Sequence, residues 1–410
     1  MRNWKSIALG HRLPSHTTIA MAAEIAISIP PTSNNHRGML RGVLEYLRLH
    51  PEFSVFKRQA LPYLPWEEVK SWRGAGLVAF AETRQRLDRL ASLSMPVVNV
   101  TLHHPFRPSI PTVHSDNHAI GRLAATHLLE TGLRQFAFVG HYPWYHNQAR
   151  CEGFRQMVEQ AGFACQAIEL TFDRRRRDSL GNRNFNLRSL ASQLERLRTP
   201  IGIAAAHDEF ADAVVQICRD TRRRVPYDVA VIGVNDYRLI CETTDPPLSS
   251  IAQAAQQIGF EAAELLHRMI HGAPAPSAPI LVPPVRIVAR RSSDFLAVDD
   301  ESVLQALQFV RENCHRSIRA EDVARRAAVT RRTLDKRFVD TLGHPLAEEL
   351  RLARLRRARS LLASTNMKVV LVGLHCGFES TSGFVRAFRE ETGATPLEYR
   401  RRTQQADEGA

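Results

Sequence analysis

Two short stretches near the end of the chain, "TRRTLDKRF" (330–338) and "STSGFVRAF" (380–388), combine apolar residues one helical turn apart with arginines between and beyond them. Leu334 with Phe338, and Phe384 with Phe388, fall on one helical face and so point inward. Arg331, Arg332, Asp335 and Lys336 are then turned outward in the first stretch, and Thr381, Ser382, Arg386 and Arg389 in and just after the second. A guanidinium so placed can donate two parallel hydrogen bonds to a guanine edge or single ones to phosphates. Thr330 and Ser380 stand where a hydroxyl caps the first turn of each helix.

Other groupings of reactive side chains are weaker. His114 and His118 have the i,i+4 spacing of metal ligands, but a helix begins between them, and no metal site is expected. Cys151 would suit a hydrolase or amidotransferase-like domain, yet "NQARCEGF" is not the sharp strand-to-helix elbow that a nucleophile of that kind occupies. Neither G-x-x-x-x-G-K-[ST] nor G-x-G-x-x-G occurs, which argues against nucleotide chemistry. The run Arg174–Arg177 reads as a solvated loop. No catalytic residue and no cofactor is expected.

The elements that position the arginines repeat. "EDVARRAAVTRRTLDKRFVDTLGHP" (321–345) aligns with "VLVGLHCGFESTSGFVRAFREETGATP" (370–396), so that Ala324 and Ala328 match Gly373 and Gly377, and Leu334, Phe338 and Gly343 match Phe384, Phe388 and Gly393. Each copy makes sense as a helix-turn-helix, with a small residue where the helices cross and another at the tight turn. Between the copies, residues 345–365 read as one long helix with apolar positions 346, 350, 353, 358 and 361 on one side. It would space the two copies rigidly.

Charge agrees. The chain carries a net +13 over 410 residues with a pI near 10.0, and residues 301–410 hold 20 lysines and arginines against 14 acidic residues. An anionic partner is implied, nucleic acid or an anionic membrane surface. No apolar run is long enough to span a bilayer and the N-terminus lacks a secretory signal. Six scattered cysteines without a C-x-x-C pair fit reduced thiols in the cytoplasm.

Ahead of this region, apolar runs alternate with helical patterns: "AEIAISI" (23–29) before a helix at 37–49, "GLVAF" (76–80) before one at 83–93, "PVVNV" (96–100), "QFAFVG" (135–140) before 147–160, "GIAAA" (202–206) before 209–219, and "VAVIG" (229–233). That alternation predicts parallel strands with crossover helices, and its length predicts two lobes with a cleft between them. The segment 271–294, rich in proline and small residues, reads as a last strand running into a linker.

On these motifs residues 300–402 resemble the AraC/XylS family of transcription activators. The stretch "VAVIGVNDYRLICETTDPPLSSIAQAAQQIGFEAAELLHRMIHG" (229–272) is similar to the LacI-type, periplasmic-binding-protein-like sensors, and with "ILVPPVRIVARRSSD" (280–294) to the regulators of xylose operons. The resemblance implies an α/β two-lobed sensor followed by an all-α double helix-turn-helix domain. Its divisions would be a flexible N-terminus at 1–20, a sensor at 21–292, a linker at 293–300, a DNA-binding domain at 301–402 and a flexible tail at 403–410. It also implies a homodimer that binds double-stranded DNA, a monosaccharide such as D-xylose, and RNA polymerase. Carried over by position, Arg150 in "ARCEGF" matches the arginine that forks onto sugar oxygens. Asp116, Asn235 and Asp236 match polar cleft positions, His207 and Asp208 follow a strand end, Gln253 lies on a late crossover, and Asn34, Asn35 and His36 form the tip after the first strand. Where the family commonly has aspartate, this chain has Asn235.

Overall fold

A computed structural model describes residues 23–58, 61–177, 183–295, 298 and 300–401. The expected flexible ends, 1–20 and 403–410, lie outside the described residues. The first lobe is built from β1 (Ala23–Ser28), α1 (Asn34–Leu49), β2 (Phe53–Val55), β3 (Gly76–Ala79), α2 (Arg84–Ala91) and β4 (Val97–Asn99), with a parallel sheet in the order β2-β1-β3-β4. Ile25, Ala26 and Ile27 are all buried, which is why these strands read as unbroken apolar runs: helices cover both faces. Helix α1 starts three residues before the expected Arg37, because the Ser33 hydroxyl accepts from the His36 amide at 3.2 Å and caps it there. Asn34, Asn35 and His36 are therefore a first helical turn and not a loop tip.

After β5 (Val113–Ser115) the chain crosses to the second lobe. There α3 (Asn117–Leu129), β6 (Phe136–Gly140), α4 (Tyr145–Gln160), β7 (Cys165–Glu169), β8 (Phe172–Arg177), β9 (Arg183–Phe185), α5 (Leu187–Glu195), β10 (Ile201–Ala205), α6 (Asp208–Asp220), β11 (Val229–Val234), α7 (Arg238–Thr243) and β12 (Ser249–Ala252) follow in order. The run Arg174–Arg177, expected as a loop, is backbone-paired strand: β8 runs antiparallel to β9. The chain then returns through α8 (Ala255–Ile270), which packs on α1, and β13 (Ile280–Val282), which pairs with β5, before β14 (Arg286–Val288) closes the second sheet. That sheet has the order β14-β12-β11-β10-β6-β7, antiparallel only at β12/β14. Three crossovers thus join the lobes, and Ser115 on the first donates to Gln253 on the second.

The helical region comprises α9 (Glu301–Asn313), α10 (Ala320–Arg326), α11 (Arg331–Leu342), α12 (Leu346–Ser364), α13 (Val369–His375) and α14 (Thr381–Thr392). It holds two small cores. Leu334 and Phe338 of α11 pack with Leu346, Leu350 and Ala353; Phe384 and Phe388 of α14 pack with Leu355, Ala358 and Leu362. One apolar side was expected on α12, but its buried side changes along its length because each half serves a different core. Leu355 and Leu362 were missed for that reason. Between sensor and helices, Phe295 is buried in the core of the second lobe and Val298 packs against the first helical core. Arg311 of α9 reaches back to Asp294 at 3.2 Å and lies 5.8 Å over the Tyr227 ring.

Candidate functional site

The crossing of α3 over α4 sets the position of Arg150. A Cβ on Gly121 would lie 2.0 Å from the Arg150 carbonyl oxygen and one on Gly153 2.2 Å from that of His118, so only glycine lets the helices approach so closely. Arg150 is thereby buried, 3% exposed, at the base of the interlobe cleft. Its Nε donates to Asn117 Oδ1 at 2.9 Å and its Nη1 to the Ala206 carbonyl. Nη2 takes part in neither of these bonds. Burial lowers this guanidinium to about 9, with the Asp208 carboxylate acting in the other direction.

Above it a chain of amides crosses the cleft. Asn35, on the first lobe, donates to Asn235 Oδ1 at 2.9 Å; Gln253 donates to the same oxygen. Asn235 Nδ2 sits 3.3 Å from His207 Nδ1, and His207 Nε2 lies 3.1 Å from His146 Nε2. With the amide donating to Nδ1, the His207 proton belongs on Nε2 and points at His146. Asn235 and Asp236 hold φ of 120° and 47°, conformations that non-glycine residues seldom adopt.

One wall of the cleft was not anticipated. His103 packs edge-on against Phe80, Trp144 and His146, at centroid distances of 5.6, 5.3 and 4.7 Å, and His36 lies 4.3 Å from Phe80. Desolvation, reinforced by neighbouring charges, lowers His103 to about 3 and holds His146 and His207 well below their ordinary range; His36 is lowered to about 4. All four rings are neutral near pH 7. The available signal was position: "TLHH" lies one residue beyond strand β4 and "HYPWYH" directly follows β6, and carboxyl ends of parallel strands are where such folds bind ligands.

Four expected residues are turned to the frame. Asp208 is fully buried, accepting from the Ser250 hydroxyl at 2.6 Å and the Tyr237 amide at 2.7 Å, and burial raises it to about 7. Asp116 caps α3 through the Ala119 amide at 2.8 Å. Asp236 pairs with Arg290 at 2.8 Å, and Asn34 accepts from Arg37 at 2.6 Å. Short acids beside a helix start serve as caps as readily as ligands, and residue type alone does not separate the two roles. Cys151 is buried, its thiol raised by burial and 3.6 Å from the Tyr142 hydroxyl, the reverse of an activated nucleophile.

In the helical region the two copies share their caps and turns. Thr330 accepts from the Thr333 amide and Ser380 from the Gly383 amide, both at 3.2 Å. Ala328 and Gly377 occupy the turns with φ of 53° and 83°. Arg332, Lys336, Ser382, Arg386 and Arg389 are exposed, and Thr381 is half-buried. Arg331 differs, since it is held by Glu321 at 2.5 Å and Asp335 at 3.5 Å. Asp335 also accepts from the Leu346 amide at 3.3 Å, which turns it toward the start of α12.

A model of the periplasmic binding protein-like domain matches residues 125–293, and a helix-turn-helix domain model matches 323–402. The xylose operon regulatory protein of Escherichia coli (strain K12) is 32% identical over 374 residues, 89% of this chain and 93% of that one. Its Haemophilus influenzae counterpart is 28% identical over 79% of this chain and 84% of its own. A solved structure described as the xylose-binding transcription activator xylR superimposes with a TM-score of 0.74 at 29% identity, covering 92% of this chain and 97% of that one. Fold and relatives together define a sugar-responsive, DNA-binding transcription regulator, and they give the hydrolase or amidotransferase alternative no support. Within that class the chain belongs to the family of the xylose operon regulatory proteins. No helix among the described residues is long and apolar enough to cross a membrane.

Proposed function

We propose that this protein is a cytoplasmic, homodimeric activator that binds a pentose, D-xylose or a close relative, and recruits RNA polymerase to sugar-utilisation genes. The observation that carries the effector reading is Arg150: a buried guanidinium whose Nη2 takes part in neither of its two bonds, facing a cleft whose rim amides come from both lobes. A ring of hydroxyls satisfies such a donor, while the aromatic wall suits the apolar face of the sugar. Relatives named for xylose make that pentose the first choice. Arg150, Asn35, Asn235, His207, Gln253 and His36 are the proposed contacts. Asp116, Asp208, Asp236 and Asn34 hold the frame.

Residues 21–292 would form the sensor, 293–300 the linker and 301–402 the reader. The exposed faces of α11 and α14 would enter successive major grooves about 34 Å apart, with Arg332, Lys336, Arg386 and Arg389 contacting DNA and Thr330 and Ser380 capping. Calorimetry of the full chain with D-xylose, D-ribose and L-arabinose, run beside mobility shifts on operator and scrambled DNA, tests the reading. Xylose is expected to bind and to change operator affinity. Binding of another sugar alone would overturn the choice of effector, and no sugar binding would overturn the cleft assignment.

A further inference from the structure

The ends of α1 and α8 remote from the cleft bring together residues with no part in the sugar site. His50 follows α1, Glu52 precedes β2, and His267 lies in the last turn of α8. One ligand atom from each falls within 4.8 Å of the others. We propose that His50, Glu52 and His267 bind a divalent transition metal ion, Zn2+ being the best match to two imidazoles and a carboxylate. The donor set is that of a three-ligand zinc centre with an open fourth position.

Geometry supports it. Ligands 2.0–2.2 Å from a tetrahedral ion lie about 3.4 Å from one another. His50 Nδ1 and Glu52 Oε1 are 3.1 Å apart, and Glu52 Oε1 and His267 Nε2 3.9 Å. Bringing the second pair to that spacing takes about half an ångström, within the reach of one carboxylate rotation. The far side of the His267 ring is fixed, because its Nδ1 meets the Tyr46 hydroxyl at 2.8 Å. If Nδ1 carries the proton there, Nε2 presents its lone pair to the site, the role an outer partner plays for a metal-bound histidine. His271, one turn on, has its ring 4.7 Å from that of His267 and its Nδ1 3.0 Å from the His267 carbonyl, which leaves Nε2 as an acceptor. His271 is not one of the clustered groups, so the fourth position falls to water.

The two helices are also rigidly joined. A Cβ on Gly42 would lie 1.8 Å from the Gln256 carbonyl oxygen, and one on Gly259 1.9 Å from that of Met39. His50 and His267 are thus held by a crossing that side chains cannot loosen, while part of each stays open for an ion to enter. The same α1 presents Asn35 to the cleft about 22 Å away at its other end. A metal would therefore clamp the remote ends of the helix pair that carries one side of the sugar site.

The test uses the full chain stripped of metal. Zn2+ affinity is measured by competition with a chromophoric chelator, and Co2+ is added as a spectroscopic probe. One Co2+ per chain with visible d–d absorption is expected. His267→Ala and Glu52→Gln should each weaken Zn2+ binding by about tenfold or more, and Tyr46→Phe by about tenfold through loss of the orienting bond. His118→Ala, an exposed histidine elsewhere, should bind as wild type does. Circular dichroism and sugar binding check that each variant is folded; Glu52→Gln, on the surface, decides if His267→Ala is not. Equal Zn2+ affinity in wild type and Glu52→Gln, or no tight binding by wild type, would overturn the site.

Discussion

In the cleft, Asn35, Ser115, His146, His207, Asn235 and Gln253 are hydrogen-bonded to one another before any ligand arrives. On α11 and α14, Arg332, Lys336, Arg386 and Arg389 reach into solvent with no ion pair among the described residues. The difference follows from dielectric. A buried polar group without a partner costs about 1–3 kcal/mol, so a pocket for a neutral ligand is pre-satisfied and keeps few donors in reserve. A solvated cation costs almost nothing to leave unpaired, and it regains free energy from DNA by releasing counterions. The two regions should therefore respond differently to pH, truncation and salt.

The largest expected contrast is with pH. Burial depresses His36 to about 4 and His103 to about 3, with His146 and His207 also well below 6.5. The folded sensor binds fewer protons than the unfolded chain below pH 6.5, so stability present above that pH is lost as pH falls toward 4. Each imidazole contributes up to about 1.4 kcal/mol per pH unit. Asp208 acts oppositely: raised to about 7, it favours the folded state at low pH and loses that contribution as pH rises from 3.8 through 7. Four imidazoles outweigh one carboxyl, and the sensor should weaken on going from pH 7 to 5. Trp66, Trp72 and Trp144 lie in the sensor and residues 301–410 contain no tryptophan, so unfolding followed by tryptophan fluorescence reports the sensor and not the helical region. Equal stability at the two pH values would break the contrast; His103→Gln with His146→Gln should flatten it.

Next in size is Arg150→Ala. It leaves Asn117 Oδ1 and the Ala206 carbonyl without their donor, at about 1–3 kcal/mol each in stability. Sugar affinity should fall by about 1.5–3 kcal/mol. Denaturant titration and calorimetry give the two numbers separately. A variant with full stability and full affinity would show that the residue belongs to neither frame nor pocket.

How far each region was legible follows from the range of its contacts. The helix-turn-helix copies were readable because turn, cap and inward phenylalanines lie within about 25 residues, and the caps at Thr330 and Ser380 and the turns at Ala328 and Gly377 stand where spacing put them. The buried parallel strands were readable as apolar runs. The cleft residues came only through the resemblance, because they lie as far apart as Asn35 and Asn235, and the wall of His103 and His146 was not anticipated, because it is assembled only when strand ends from both lobes meet. The pair β5/β13 joins three-residue strands from distant segments, which no periodicity announces.

On the DNA side the expected effects are smaller. Arg386→Ala and Arg332→Ala should each cost about 1–3 kcal/mol in operator affinity if the guanidinium reads a guanine. A phosphate contact would instead weaken operator and scrambled DNA alike and flatten the salt dependence. Mobility shifts at two salt concentrations separate the cases, and unchanged binding in both variants would remove these helices from the interface.

The smallest effect tests the one exception to the contrast. Arg331 sits where its neighbours are free, yet Glu321 and Asp335 both hold it. Both partners of the closer pair are exposed, so the pair adds little to stability, and its consequence is to withhold one cation from DNA. Glu321→Gln removes the charge that detains Arg331 and keeps the shape of the side chain. Operator affinity should rise a few-fold, with a steeper salt dependence as a further phosphate contact forms. The second copy has no matching pair, since Val370 and Thr381 stand where the first copy has Glu321 and Arg331, so the gain should be confined to α11. If Glu321→Gln lowers affinity, the acid is orienting Arg331 for DNA and not competing with it, and the two copies read DNA in different ways.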